Sequence, residues 1–272
     1  MINITDRVDI SRSEVSLLVE ERYRRIKALL RDHGTVSVEH MTDALGVSRE
    51  TIRRDLIELV TLGEIRRVHG GAMLADSEAP FNERAGIRIR EKRAIARGAL
   101  AYVQSGQTLF VDAGTTTAIL AEALATRVNL HVITNSVAVA ASLATVRTGR
   151  PGNHDVHLLG GTFNASIGAT YGGAAIGEVY RFHADLALLA PVGVDAVHGA
   201  SSFVPAEAEM ADAMSRNAKR TLILADYSKV GVLSRVVACP PQRISVLITN
   251  RRASKLPAAA QLEQALGAVD YV

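Results

Sequence analysis

The chain has 272 residues, 48% of them hydrophobic and 22% charged, with a formal net charge of +3. That balance excludes a disordered chain, and the length suits a small domain joined to a larger one. A single cysteine, Cys239, excludes an intrachain disulfide framework and a cysteine-based zinc site and fits a reducing compartment, while the absence of Trp makes the core aliphatic.

Met1 to Glu14 mixes acids and bases without an apolar stretch, so no signal peptide is expected there. No apolar run approaches the ~20 residues of a membrane span, and the expectation is a cytoplasmic chain without a membrane partner. Leu17 to His33 reads as a helix with Ile26, Leu29 and Leu30 at helical spacing, closed by Gly34. Ser37 caps a second helix whose Met41, Ala44 and Leu45 face inward, and Gly46 stops it. Val47 fills the turn, and Ser48 caps a third helix to about Leu62. Ile65 to Val68 alternates apolar and basic residues as a short strand does, and Gly70 and Gly71 form the turn after it. Residues 1–74 thus form one domain, 75–81 a linker and 82–272 a second domain, which opens with a long helix from Asn82 to Gln104.

Beyond that helix, short apolar runs alternate with helical stretches. The runs are Thr108 to Val111, Leu130 to Ile133, Val156 to Leu159, Leu186 to Ala190, Thr221 to Ala225 and Ser245 to Ile248. The helices are Thr116 to Ala125, Ser136 to Val146, Ala174 to Tyr180, Pro205 to Ala218 and Pro257 to Leu266. Continuous apolar strands suit burial on both faces, so the fold class is α/β with an open, mostly parallel sheet. No internal repeat or low-complexity tract interrupts the pattern.

The third helix carries the chemistry of the first domain. Ile52, Leu56, Leu59 and Val60 form its buried stripe, while Arg49, Thr51, Arg53 and Arg54 face the other way near its start. A helix-turn-helix sets the N-terminal part of its second helix in the major groove, where Arg can bond a guanine edge and Thr a base edge or methyl. Ser37 and Ser48, at the two helix starts, suit phosphate contacts, because free backbone amides there favour an anion. Arg66, Arg67 and His69 suit a wing on the adjacent backbone or minor groove. The expected partner is double-stranded operator DNA. The bland alternative is a surface helix with solvated arginines, and the coincidence of turn, cap and basic wing weighs against it. Arg22, Ile26 and Leu30, then Ser48, Thr51 to Leu56 and Arg67 to Ala72, resemble the winged helix-turn-helix of the DeoR family of bacterial regulators. The resemblance implies a transcription factor, most often a repressor of sugar or polyol catabolic genes.

In the second domain, Phe110 to Thr117 runs from a strand through a small-residue turn into a helix. Gly114 admits close approach of a ligand, and Thr115, Thr116, Thr117 and free amides can surround a phosphate; plain helix capping is the alternative. Asp112 ends the strand, on the ligand edge of such a sheet. Further strand ends deliver Thr134, Asn135 and Ser136, then Gly160 and Gly161, then Asp226 and Lys229. Lys229 can neutralise a phosphate, Asp226 can hold hydroxyls, and Glu207 can face the same cleft. Arg84, Lys92, Ile95 and Ala96, with these strand ends through Gly231, are similar to the DeoR-type sensor domain. That resemblance implies a ribose-5-phosphate isomerase/CoA-transferase type of fold and a phosphorylated sugar as effector, with no cofactor, metal or catalytic residue. Two stretches depart from the family: Glu207 to Asp212 lacks the basic pair found in relatives, and Pro191 to Phe203 reads unusually.

Other groupings are discounted. His154, Asp155 and His157 lack a further metal ligand, no nucleophile elbow is present, Gly172 and Gly173 read as a turn, and Val137 to Leu143 as core packing. A homodimer or higher oligomer would place two readers on half-sites about 34–36 Å apart. Two rivals stand beside the regulator: a sugar-phosphate enzyme with Asp112, Glu207 and Lys229 as acid/base groups, and a winged helix that binds only protein.

Overall fold

The computed structural model describes residues 7–68, 70–75, 78–79, 81–144 and 154–272, with side chains from Leu18 onward. The chain divides into two compact units, Met1–Pro80 and Phe81–Val272.

The first unit runs α1 (Arg7–His33), β1 (Thr35–Ser37), α2 (Val38–Leu45), α3 (Arg49–Thr61), β2 (Ile65–Val68) and β3 (Gly71–Leu74). Each turn has its chemical cause. Ser37 Oγ accepts from the His40 amide at 3.1 Å and starts α2, while Gly46, at φ 64°, closes it. Ser48 Oγ then accepts from the Thr51 amide at 3.1 Å and starts α3. Ile26, Leu30, Val36, Met41, Ile52, Leu56, Leu59, Ile65 and Ala72 form the core. The strands pair antiparallel in the order β1-β3-β2. A Cβ on Gly71 would strike the Val36 carbonyl, so glycine is what lets β3 lie flush on β1.

Three expectations are corrected here. α1 begins at Arg7 rather than Leu17. Ala44 is exposed, because Val38, Met41 and Leu45 make the inward stripe of a helix only two turns long. Val60 is 40% exposed, since the buried positions Ile52, Asp55, Leu56 and Leu59 wind past it at the end of α3.

The second unit starts with α4 (Phe81–Gly86) and α5 (Ile89–Ala99). The expected single helix is therefore broken: Arg88 sits in the left-handed region at φ 53°, and a 3-10 turn over Leu100–Tyr102 replaces the last turn. Then follow β4 (Thr108–Val111), α6 (Thr115–Leu124), β5 (His131–Thr134), α7 (Val137–Ala144), β6 (Asp155–Leu158), β7 (Thr162–Asn164), β8 (Ala169–Tyr171), α8 (Gly173–Val179) and β9 (Ala184–Leu189). The chain continues with β10 (Gly193–Asp195), β11 (Gly199–Ser202), α9 (Pro205–Arg216), β12 (Ala218–Leu224), β13 (Val236–Cys239), β14 (Ile244–Thr249), α10 (Ala259–Ala265) and β15 (Val269–Tyr271).

Seven strands form a sheet in the order β15-β14-β12-β9-β4-β5-β6, every pair parallel. One face is covered by Ile95, Ala96 and Ala99 of α5, Leu120, Ala121 and Leu124 of α6, and Val139 and Leu143 of α7. The other is covered by Val179 of α8, Met210 and Met214 of α9, and Leu262 of α10. From β4 the chain winds one way to β5 and β6; from β9 it winds the other way through β12 and β14 to β15. The winding reverses between β4 and β9, and in open sheets the crevice beyond such a reversal is where ligands sit. The stretch Pro191 to Phe203 forms β10 and β11, which join β13 in a separate antiparallel sheet. Gly172 and Gly173 form the start of α8 rather than a free turn. Among the described residues no helix is long and apolar enough to cross a membrane.

Candidate functional site

In the first unit the residues after Ser48 face outward together. Arg49, Arg53 and Arg54 are exposed and Thr51 is half-buried, its hydroxyl 2.9 Å from Ser48 Oγ. Arg49 approaches Glu39 at 3.6 Å and Arg54 approaches Glu50 at 3.5 Å, with more than half of each arginine side chain in solvent. Pairs so exposed hold their partners weakly and yield to a stronger anion. Asp55 differs. It is buried and gripped by Arg22 of α1, whose Nε bonds Oδ2 and whose Nη2 bonds Oδ1 at 2.7 Å. This pair sets the rotation of α3, so that Arg53 and Arg54 point away from the core. Lys27 holds Glu64, in the turn between α3 and β2, at 2.6 Å. Arg66 and Arg67 stand exposed on β2, and Arg67 Nη2 donates to the Arg53 carbonyl at 3.3 Å, tying the hairpin to the helix. His69 lies outside the described residues.

In the second unit the strand ends converge on the reversal between β4 and β9. Asp112 follows β4, 8% exposed, with its amide on the Leu188 carbonyl and its Oδ1 accepting from Ala113 N at 2.7 Å. Burial lifts its pKa to about 8, outweighing the lowering by the Ala113 amide, and Glu207 adds to the rise. Gly114 is packed against β9, where a Cβ would come within 2.9 Å of Ala190 Cβ. Thr115 and Thr116 are buried at the start of α6, and Thr117 turns its hydroxyl onto the Gly114 carbonyl at 2.9 Å.

Several strand-end hydroxyls are already engaged. Thr134 Oγ1 donates to the Val111 carbonyl at 2.6 Å and accepts from Ser136 N at 3.0 Å, and Ser136 Oγ accepts from Val139 N at 3.3 Å. They hold the β5–α7 turn in place around Asn135, which is fully buried. Gly160 N donates to Glu178 Oε2 at 3.0 Å, and Gly161, at φ 123°, lies against the Tyr171 backbone. Both glycines thus shape the wall. The Tyr171 ring is buried close to Asp112 and Glu207; burial first, then those two acids, raise its pKa strongly. Glu207 accepts from Ser202 Oγ at 2.6 Å.

Asp226 caps the turn after β12 through Ser228 N at 3.0 Å and Ser228 Oγ at 2.6 Å. Arg88 Nε approaches the same oxygen at 3.7 Å. Lys229 Nζ donates to the Pro191 carbonyl at 2.7 Å, which brings an ammonium group to the end of β9. Lys92 is buried and donates to the Arg84 carbonyl. Its pKa is lowered to about 8, chiefly by burial and then by Lys229, with Arg84 and Arg88 adding to the drop and Asp226 opposing it. Four cationic side chains therefore crowd one strand end, a field that an anion would relieve.

His154 Nδ1 accepts from Leu130 N at 3.3 Å, and His157 faces Glu178 at 3.3 Å, so the two rings serve separate contacts. Among the described residues no group of three or more His, Cys, Asp or Glu is arranged to hold a metal ion.

Residues 22–78 match the DeoR-like helix-turn-helix domain, and residues 87–251 match the DeoR C terminal sensor domain. The chain belongs to the DeoR family. Like its relatives it is a DNA-binding transcription regulator, with the DeoR helix-turn-helix in the first unit and the DeoR sensor in the second. It is 33% identical to the glycerol-3-phosphate regulon repressor of Escherichia coli (strain K12) over 213 residues, 78% of this chain and 82% of that one. It is 35% identical to the HTH-type transcriptional regulator GlpR of Haloferax volcanii over 237 residues, 86% and 91% of the two chains. The HTH-type transcriptional repressor GlcR of Bacillus subtilis (strain 168) is 33% identical over 236 residues, 85% and 88% of the two. Ribose 5-phosphate isomerase A from Methanocaldococcus jannaschii aligns over 55% of each chain at 15% identity with a TM-score of 0.37, too slight a likeness to argue from.

Within this DeoR sensor, Arg84, Arg88, Lys92 and Tyr171 join the strand-end cluster without having been assigned to the site from the sequence, where Arg84 and Lys92 entered only as carriers of the family resemblance. Lys92 offered the one available signal: it shares the buried stripe of α5 with Ile95, Ala96 and Ala99, where a lysine is costly unless it has a task.

Proposed function

We propose that this chain represses genes of carbohydrate or polyol catabolism and is controlled by a small phosphorylated metabolite. Residues 1–74 act as the reader, 75–81 as linker and 82–272 as sensor. Arg49, Thr51, Arg53 and Arg54 read bases, while Ser37, Ser48, Arg66, Arg67 and His69 hold the backbone. The working form is a homodimer or higher oligomer in the cytoplasm, and the sensor binds its effector without turning it over.

The observation that carries this reading is the gathering of Arg84, Arg88, Lys92 and Lys229 near the end of β12, on the same sheet edge as the buried strand ends of β4 and β5. An effector phosphate fits between these cations and the amides at the start of α6, with Thr115, Thr116 and Thr117 around it. Asp112, Asn135 and Glu207 face the rest of the effector; Gly114, Gly160 and Gly161 give it room, and Thr134, Ser136 and Asp226 hold the surrounding turns. The names of the relatives point the same way, one toward glycerol 3-phosphate. Effector binding must favour one arrangement of the readers over another, and a coupling of about 1–3 kcal/mol changes operator affinity roughly 5–150-fold.

The test is binding of the purified chain to its upstream DNA, with and without phosphorylated sugars and polyols. Operator binding should weaken steeply with salt, because phosphate contacts release counterions. At least one phosphate ester should raise the melting temperature and shift operator affinity. Salt-independent or absent DNA binding overturns the reader assignment, and turnover of the ester would make the sensor an enzyme.

A further inference from the structure

The proposed effector site has two chemically different ends. Along the sheet edge the residues just past the strands succeed one another as Asn250, Asp226 (one beyond Ala225), Ala190, Asp112 and Asn135. Neighbouring strands lie about 4.8 Å apart and β9 runs between β12 and β4, so at least roughly 10 Å separates Asp226 from Asp112. Arg88, Lys92 and Lys229 gather at the Asp226 end, while the charge of Arg84 is felt both at Lys92 and at Tyr171. The Asp112 end is built from different groups.

Asn135 is 0% exposed. Its Nδ2 donates to the Thr170 carbonyl at 3.3 Å, which fixes the amide's orientation, because the flipped amide would set two oxygens against each other. Its Oδ1 is buried and has no hydrogen-bond partner among the described residues. A buried acceptor in that state is costly and calls for a donor. Beside it on the next strand, Asp112 keeps its proton at neutral pH, because burial lifts its pKa to about 8. One Asp112 oxygen already accepts from Ala113 N, so the carboxyl offers one further acceptor site and one donor. The Tyr171 hydroxyl lies within hydrogen-bonding reach of the Asn135 side chain, and Tyr171 is near both Asp112 and Glu207.

We propose that this end of the site reads an uncharged, hydroxyl-bearing carbon of the effector, with Asn135 Oδ1 as acceptor and the Asp112 carboxyl as paired donor and acceptor, and that it rejects effectors charged at that position. The inference rests on the reading of the sensor as a phosphate-ester site. A hydroxyl both donates and accepts, so it satisfies both residues. A carboxylate or second phosphate offers Asn135 Oδ1 another acceptor and sets negative charge beside Glu207. An ammonium group offers donors but no acceptor for the Asp112 carboxyl proton, which would have to leave to solvent, and it would add a cation where the charge of Arg84 is already felt at Tyr171.

The experiment is calorimetric titration of the full chain at pH 7 with matched probes. Sorbitol 6-phosphate is compared with 6-phosphogluconate, glycerol 3-phosphate with 3-phosphoglycerate, and glucose 6-phosphate with glucosamine 6-phosphate; inorganic phosphate sets the baseline. At least one uncharged-tail ester should bind, with its acid or amine counterpart at least tenfold weaker. In Asp112→Ala and in Asn135→Leu, that ester should fall toward the affinity of inorganic phosphate. Should either variant fail to fold, the matched pairs on the unaltered chain still decide. Equal or tighter binding of the acid-tailed probe overturns the proposal while leaving the phosphate-ester reading intact. Tighter binding of the amine overturns it too, and makes the Asp112–Glu207 end a cation acceptor. If no ester binds more tightly than inorganic phosphate, the phosphate-ester reading fails and takes this inference with it.

Discussion

Arg22→Ala should disable the reader without touching a groove-facing side chain. The Arg22 guanidinium spans both oxygens of Asp55, and the two side chains are 19% and 5% exposed. Truncating Arg22 strands a carboxylate inside the core of the first unit. Breaking a buried pair by removing one partner costs about 3–5 kcal/mol, whereas replacing both by apolar groups is often neutral. For a domain of this size each kcal/mol moves the midpoint by about 4–8 °C, so the first unit should melt roughly 12 °C lower or more. The assay is operator binding by fluorescence anisotropy over a temperature ramp, paired with circular dichroism melts of the full chain. Arg22→Met combined with Asp55→Leu should recover most of the loss. An Arg22→Ala chain that binds and melts within about 4 °C of the unaltered protein would refute the reasoning, because it would make the pair no stronger than a solvated one.

Arg53→Ala should lose about 1–3 kcal/mol of operator affinity and relax selectivity at one base pair; unchanged affinity and selectivity in a titration would remove it from the reader. Ser48→Ala should cost about 1 kcal/mol through the lost cap on α3, read as a lower denaturation midpoint, and no shift would mean that the turn holds the helix unaided. Lys229→Ala should move the effector dose curve for operator release at least tenfold toward higher concentration, and an unaltered curve refutes its assignment. The raised pKa of Asp112 predicts a pH dependence of stability. The folded chain keeps this proton after the unfolded chain has released it, so the stabilisation is complete below the unfolded value near 4 and is lost as pH rises through about 8. Asp112→Asn should flatten that decline in melts recorded from pH 4 to 9, and parallel curves for the two chains would count against a buried, protonated Asp112.

Much of the architecture is written in local chemistry. Ser37, Gly46 and Ser48 mark their helix ends by capping and left-handed geometry, which depend on neighbours a few residues away. The apolar runs that became β4, β5, β9, β12 and β14 announce strands covered on both faces. The break at Arg88 has no such signal, because arginine is a good helix former and its left-handed backbone is imposed by contacts with Asp226 and Tyr227, more than a hundred residues away. β10 and β11 are short and built from small residues, so their pairing with β13 depends on tertiary contacts rather than on propensity. The strand-end residues stood out because polar groups close apolar runs. Arg88 did not, and Arg84 and Lys92 entered only through the family resemblance, because charges along a helix look solvated until the fold shows which face is covered.

The clamp of Gly71 on the Val36 carbonyl has a consequence for which sequences the reader accepts. With no room for a side chain between β3 and β1, and with Arg67 donating to the Arg53 carbonyl, the hairpin is braced against both β1 and α3. The span between the exposed arginines of the helix and those of the hairpin is therefore a fixed gauge. On the proposed reading of these arginines, duplexes whose grooves do not match that span should bind less tightly, by shape rather than by base identity.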